Sequence, residues 1–337
     1  MIYDVVVLGL GGMGSATAAH AARRGLSVLG LEQYGPAHLL GASQGKTRLI
    51  RMAYFEGADY VPLLRRAYTL WDELEAQTGT WLRSRTGAVF VGKEQSSLIA
   101  GTRASALAHN LQIQEFTAAE LAAAFPAIRP RADEVGIFEA AAGAVFPEAA
   151  VRAHLEVAKN YGATLRFDTL VREWDAQGAS VRLHLADGTI ANARNVVVCA
   201  GPWLQDLFSQ MHVPIVIERN IQAWFAPEVP QDYAPDSFCA FALDRDGRFF
   251  YGFPDYGDGV KCAFHHSGQF TTVPSFDRAI SPDDTTQLRQ ALHAFVPDAA
   301  GALLTASACM YSLTPDEHFV IGPHPSVPHV FIAGGFS

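Results

Sequence analysis

Two arginines three residues apart, Arg48 and Arg51, and a lysine and histidine four apart, Lys261 and His265, are the side chains best suited to chemistry on a small charged molecule. A guanidinium fork grips a carboxylate through paired hydrogen bonds, and a substrate held by its acid end presents its other atoms in one orientation. If Lys46-Thr-Arg48-Leu-Ile-Arg51 makes a helical turn, both arginines share one face. Lys261, Ala263 and His265 share one face of a strand, with Cys262, Phe264 and His266 on the other. Four strand steps span about 13 Å, so the lysine and the histidine serve different sides of a flat ligand. Tyr251 and Tyr311 can enclose an apolar group while their hydroxyls orient polar atoms. On pattern alone each also fits a plainer part: solvated charge for the arginines and Lys261, a structural hydrogen bond for His265, core packing for the tyrosines.

Such side chains need a framework, and the N-terminal segment supplies one. Residues 3–8 form an apolar run ending in Gly9-Leu-Gly11-Gly-Met-Gly14. Ser15 to Arg24 is Ala-rich and reads as a helix stopped by Gly25, and Leu26 to Leu31 reads as a second strand closed by Glu32. This is a β-α-β unit with a dinucleotide fingerprint in its turn. Gly9 permits the tight turn, Gly11 lets backbone approach a pyrophosphate, and Gly14 lets helix pack on strand, with phosphates at the helix N-terminus. Glu32, 18 residues after Gly14, can accept hydrogen bonds from ribose hydroxyls and would repel a 2′-phosphate, which disfavours NADP. Nothing in this unit separates FAD from NAD.

The rest of the chain continues in the same style. A helix starts near Asp59, Thr86–Val91 reads as a strand, Ser96–Asn110 as a helix, and Thr117 with Glu120 as a capping box. Glu148–Tyr161 reads as a helix, Asp187-Gly188 as a hairpin turn, and Val196–Ala200 as a buried strand returning to the first sheet. The aromatic stretches 247–254 and 259–265 read as a hairpin, Asp283–Phe295 as a helix, and Val330–Ala333 as a strand breaking into Gly334-Gly335. With 337 residues, two domains are expected. The fold class is α/β: a Rossmann-like nucleotide domain from 1–85, 145–212 and 312–337, with an α+β substrate domain inserted as 86–144 and 213–311.

Composition narrows the function. Apolar residues make up 49% and charged ones 18%, which excludes disorder. The formal net charge of −9 disfavours nucleic acid and anionic lipid as partners, and no apolar run is long enough to span a membrane. Cys199, Cys239, Cys262 and Cys309 are scattered with no CxxC, so neither a metal site nor a redox pair is expected. Scattered thiols and the lack of a leader-like start point to a reducing, cytoplasmic location.

Three later stretches resemble the monomeric sarcosine oxidase and N-methyltryptophan oxidase family of FAD-dependent amine oxidases. They are Lys46-Thr-Arg48-Leu-Ile-Arg51-Met-Ala-Tyr54, then Tyr251-Gly-Phe-Pro with Lys261 and His265, then Ala308-Cys309-Met310-Tyr311 followed by Thr314-Pro-Asp-Glu-His-Phe319. Ala333-Gly-Gly-Phe-Ser337 is similar to the family's second flavin-contacting segment. The resemblance implies a monomer that carries FAD as a thioether on Cys309 and oxidises a small N-methyl amino acid of the sarcosine or N-methyl-L-tryptophan type. The imine product hydrolyses, and molecular oxygen becomes hydrogen peroxide. It further implies Arg51 on the substrate carboxylate, Arg48 beside the flavin, Lys261 on the oxygen-reacting side, His265 near the substrate, and Tyr251 and Tyr311 lining its pocket.

The pattern also departs from the family. Ala42-Ser43-Gln44-Gly45-Lys46 stands where Ser-His-His-Gly-Asp is common, so Gln44 takes the place of a flavin-proximal histidine and Lys46 that of an acid. The span from Phe238 to Phe250 differs from the sarcosine oxidase pattern, leaving open a related oxidase or dehydrogenase acting on a cyclic or primary amine. Family members continue with Gly-His-Gly-Phe-Lys, so a continuation past Ser337 is expected. A true end at Ser337 would instead suggest a non-catalytic flavin-binding homologue.

Overall fold

Strands buried on both faces need apolar side chains at every position, and Val28–Leu31 together with Val5 to Leu8 meet that demand. In the computed structural model, which describes residues 1–178, 180–204 and 214–337, they lie in an eight-stranded sheet. Its path runs Val171–Gln177, Ser180–Leu185, Ile190–Val198, Ile2–Leu8, Val28–Leu31, Thr164–Arg166, with Val330–Gly334 pairing Ile190–Val198 and then Val320–Pro323. Leu8 pairs in parallel with both Leu31 and Val198, so Gly9 leaves the sheet at its carboxyl edge, where open α/β sheets bind ligands. The helix Gly12–Arg23 follows at once. Its buried face is nearly all small, with Ala18, Ala19, Ala21 and Ala22, and this lets it sit close to the sheet and to the helix Pro147–Asn160.

A nine-stranded sheet forms the second layer, drawing its strands from residues 88–139 and 216–313. The strands Val216–Phe225 and Leu303–Leu313 pair antiparallel, and Val216–Phe225 also pairs with Val260–Phe264. Strand alternation gives this sheet two unlike faces. Ile221, Ala223 and Phe225 join Phe241, Phe250 and Phe295 of the helix Pro282–Phe295 in an aromatic core. Asn220, Gln222 and Trp224 take the opposite face.

The capping box at Thr117 and Glu120 forms, and so do the Asp187-Gly188 turn and the 248–264 hairpin. The expected helical turn at Arg48 does not. Arg48–Ile50 is a strand that pairs with Gly143–Val145, which also takes Arg83–Ser84 on the same residues. The domain limit placed at 212 lies outside the described residues. Among the described residues no helix is long and apolar enough to cross a membrane.

Candidate active site

The first site is made mostly of backbone. A cavity of about 690 Å³ is lined by Gly9, Gly11, Gly12, Glu32, Ser43 and Arg48, and also by Cys199 and Gly334-Gly335. No larger residue fits the turn. A Cβ on Gly9, whose φ is +86°, would stand 2.5 Å from the Cys199 carbonyl oxygen, and one on Gly14 only 1.8 Å from that of Gly9. Gly11 caps the helix with no side-chain hydrogen bond, so N–H groups of the first turn face the cavity with the positive end of the helix dipole. The Gly12 N–H donates to Ser43 Oγ at 2.9 Å. Glu32 Oε2 accepts from the Leu10 N–H at 2.8 Å and Oε1 from the Tyr34 N–H at 3.2 Å, which leaves acceptor capacity toward the cavity. Trp71 and His154 line the cavity too, and burial pushes the His154 pKa down to about 4.

From this cavity Arg48 reaches the second sheet. Its Nη1 donates to the Thr47 carbonyl at 2.9 Å, and its Nη2 donates to the Ala42 carbonyl at 2.9 Å and lies 3.6 Å from Cys309 Sγ. Burial opposes the arginine's charge, but Cys309, Tyr251, Tyr311 and Glu148 around it raise its pKa. Gln44 is buried, and its Nε2 donates to the Ala308 carbonyl at 3.2 Å, stitching the 42–48 segment to the strand that carries Cys309. Burial pushes the Cys199 thiol up to about 11, Cys239 up to about 12, and Cys262 up as well. Cys309, only 1% exposed, differs from these in having a guanidinium beside it.

Beyond Arg48 stands an aromatic box. The Tyr251 and Tyr311 hydroxyls are 3.2 Å apart, the His265 ring is 5.8 Å from that of Tyr311, and Phe249 lies 5.3 Å from both His265 and Phe55. Arg51 closes the far end, 4.4 Å over the Tyr54 ring and 5.1 Å over Phe55, with Nη2 donating to both Glu56 oxygens at 2.7 Å. Because 48–50 is extended, the two arginines diverge: Arg48 faces Cys309 and Arg51 faces Glu56. Glu139 fixes the turn after Arg51 by accepting from the Met52 and Ala53 N–H groups at 2.6 and 2.9 Å. Burial, then His266 and Arg51, push the His265 pKa down to about 3, and burial raises both tyrosines. The rings of the box are therefore uncharged, with the Arg48 guanidinium on one side and the Arg51–Glu56 pair on the other.

Lys261 points elsewhere. Its Nζ donates to the Gly45 and Thr47 carbonyls at 2.6 and 2.8 Å, while burial and then Arg48 depress its pKa well below that of an ordinary lysine. His266 is held by Glu218 Oε2 at 2.8 Å, with its ring 6.2 Å from that of Tyr311. Ser43, Glu139 and Glu148 carry no signal in the sequence, because each acts on a partner that only the fold brings near, whereas Glu56 lies only five residues from Arg51.

The residues present suit a flavin dinucleotide. The cavity lies within the range of about 300–1,000 Å³ usual for ligand sites. Asn220 and Gln222, directly opposite Cys309 and Ser307 in register, carry buried amide atoms with no hydrogen-bond partner, as does Thr47 Oγ1. Groups left so are expected where a further polar molecule sits.

Comparison with known proteins agrees. Residues 4–337 match the family described as FAD dependent oxidoreductase. The chain is 40% identical to a monomeric sarcosine oxidase of Streptomyces avermitilis, over 99% of this chain and 88% of that protein. It is 31% identical to an N-methyl-L-tryptophan oxidase of Yersinia pestis, over 100% of this chain and 90% of the other. In fold it is similar to NikD, an unusual amino acid oxidase essential for nikkomycin biosynthesis, with a TM-score of 0.87 at 22% identity, covering 99% of this chain and 90% of that one.

Proposed function

The chain belongs to the FAD dependent oxidoreductase family, and from that premise we propose that it oxidises a small N-methyl amino acid with dioxygen as acceptor. The coarser statement, an FAD-dependent oxidase of an amine or amino acid, follows from its relatives. The finer one rests on the Arg51–Glu56 pair: a buried-side guanidinium already gripping a carboxylate at the mouth of a neutral aromatic box. FAD bound there would supply two-electron oxidation of the substrate C–N bond, with dioxygen as the acceptor.

The chain's own residues do the rest. Arg51 exchanges Glu56 for the substrate carboxylate, fixing the substrate by its acid end. Tyr251, Tyr311 and neutral His265 surround the amine without offering it a counter-charge. Such surroundings favour the uncharged amine, whose lone pair oxidation requires. The helix N-terminus at Gly11–Gly14, Ser43 and Glu32 hold the dinucleotide, with Arg48 and Gln44 beside its reactive end. Cys309, buried with the Arg48 guanidinium 3.6 Å from its Sγ, is the attachment point. Lys261 serves the oxygen-reacting side.

Holoenzyme reduced anaerobically by sarcosine or N-methyl-L-tryptophan, and releasing hydrogen peroxide on aeration, would bear this out. Bleaching only by proline or glycine would move the substrate to a cyclic or primary amine. Acid precipitation tests the attachment: flavin stays with the wild-type pellet and leaves with the supernatant in Cys309→Ser.

A further inference from the structure

A second cavity, also about 690 Å³, abuts the first. The opening turns of the helix Pro147–Asn160 divide them, with Pro147, Ala150 and Val151 lining the nucleotide cavity and Glu148, Ala149 and Arg152 the second. Lys261, 1% exposed, lines one part of it, and half-exposed Lys46 and Asp258 line another, their Nζ and Oδ1 2.6 Å apart. Trp224 stands between, its ring centre 5.6 Å from the Lys46 ammonium and 5.4 Å from that of Lys261. Neither Arg51 nor His265 lines this cavity, so it is separate from the aromatic box.

We propose that this second cavity is the passage by which dioxygen reaches, and hydrogen peroxide leaves, the Lys261 end of the site, with the Lys46–Asp258 ion pair as a latch across it. The proposal rests on the oxidase reading above. The amine gives up two electrons and two protons in becoming an imine, and one dioxygen takes up both and departs as hydrogen peroxide, so no further reactant is needed. A separate route lets oxygen arrive while the box is full. Phe146, Trp224 and Pro254 give the passage the apolar wall that a small neutral gas favours.

The moving part is the Lys46 side chain rather than the backbone that bears it. Glu148 Oε1 accepts from the Gly45 and Lys46 N–H groups at 2.8 and 3.1 Å, and Lys261 holds the Gly45 and Thr47 carbonyls. Lys46 itself sits in the left-handed region at φ +65°. An exposed pair of this kind opens readily and is screened by salt.

The test is stopped-flow reoxidation of holoenzyme reduced with dithionite, which needs no assumption about the amine. Ala149→Phe fills the passage and is expected to slow the second-order reaction with dioxygen at least fivefold, leaving the flavin spectrum and anaerobic reduction by amine unchanged. Asp258→Asn removes the latch. It is expected to raise the oxygen rate constant up to about fivefold and to abolish the rise with salt expected of the wild type. Oxygen rate constants within twofold of wild type in both variants, with the same salt dependence, would overturn the proposal. A wild-type holoenzyme that dioxygen does not reoxidise would instead overturn the oxidase reading, and the proposal with it.

Discussion

The nucleotide cavity and the aromatic box meet at Arg48 and are built in opposite ways. The first is a backbone site: glycines at positions 9 and 14 have no room for a Cβ, and the groups that face the ligand are N–H groups of a helix end. The second is a side-chain site assembled from residues near 51, 249–265 and 311, each on a different element. A backbone site tolerates almost no change and fails as a whole. A side-chain site fails by degrees, one contact at a time, and that is where substrate choice can vary while the cofactor stays the same.

The sharpest break of this contrast is Gly14→Ala, whose Cβ would lie 1.8 Å from a backbone oxygen that has nowhere to go. It is expected to abolish flavin retention, read as the flavin-to-protein ratio of purified protein. Arg51→Gln removes one partner of a charge pair, worth about 2–5 kcal/mol where the pair is desolvated. It should lower kcat/KM for a carboxylate-bearing amine by about a hundredfold or more while flavin content stays at the wild-type level. If both variants lose flavin alike, the two sites are one unit and the contrast fails.

Two smaller effects sharpen it. His154, in the nucleotide cavity, has its folded pKa lowered to about 4 from an unperturbed 6.5, so the unfolded chain binds more protons between those values. Stability is therefore whole above about pH 6.5 and falls as pH drops toward 4, by about 2 kcal/mol at pH 5. His154→Gln should lose less Tm than wild type between pH 7.5 and pH 5. Glu56→Gln frees Arg51 of its internal competitor. With Arg51 11% and Glu56 30% exposed, the pair is partly screened and contributes about 1 kcal/mol, so KM should fall up to about fivefold with kcat unchanged.

The same contrast explains what could be read before the fold was known. The glycine turn, Glu32 and the paired strands around them are local, set by spacing within some thirty residues, and they appear in place. Arg48 and Arg51 would share one face only in a helical turn. The segment is extended, since its backbone pairs with Gly143–Val145, almost a hundred residues away. Glu139 and Glu148 were illegible for the same reason: a carboxylate that orders a distant N–H leaves no periodic trace. Glu56 is different, a local partner five residues from Arg51. Lys261 and His265 were separable on strand geometry alone, and they do face different neighbours.

The strand Leu303–Leu313 has a mechanical consequence. Ala308 packs into the core of one sheet and Met310 into the core of the other, while its partner Val216–Phe225 crosses the same boundary through Ile217 and Ile221. Two girders, bonded along their lengths, thus span the seam between the layers, and Cys309 sits on one of them at mid-span. The layers have no free axle to swing on at that point.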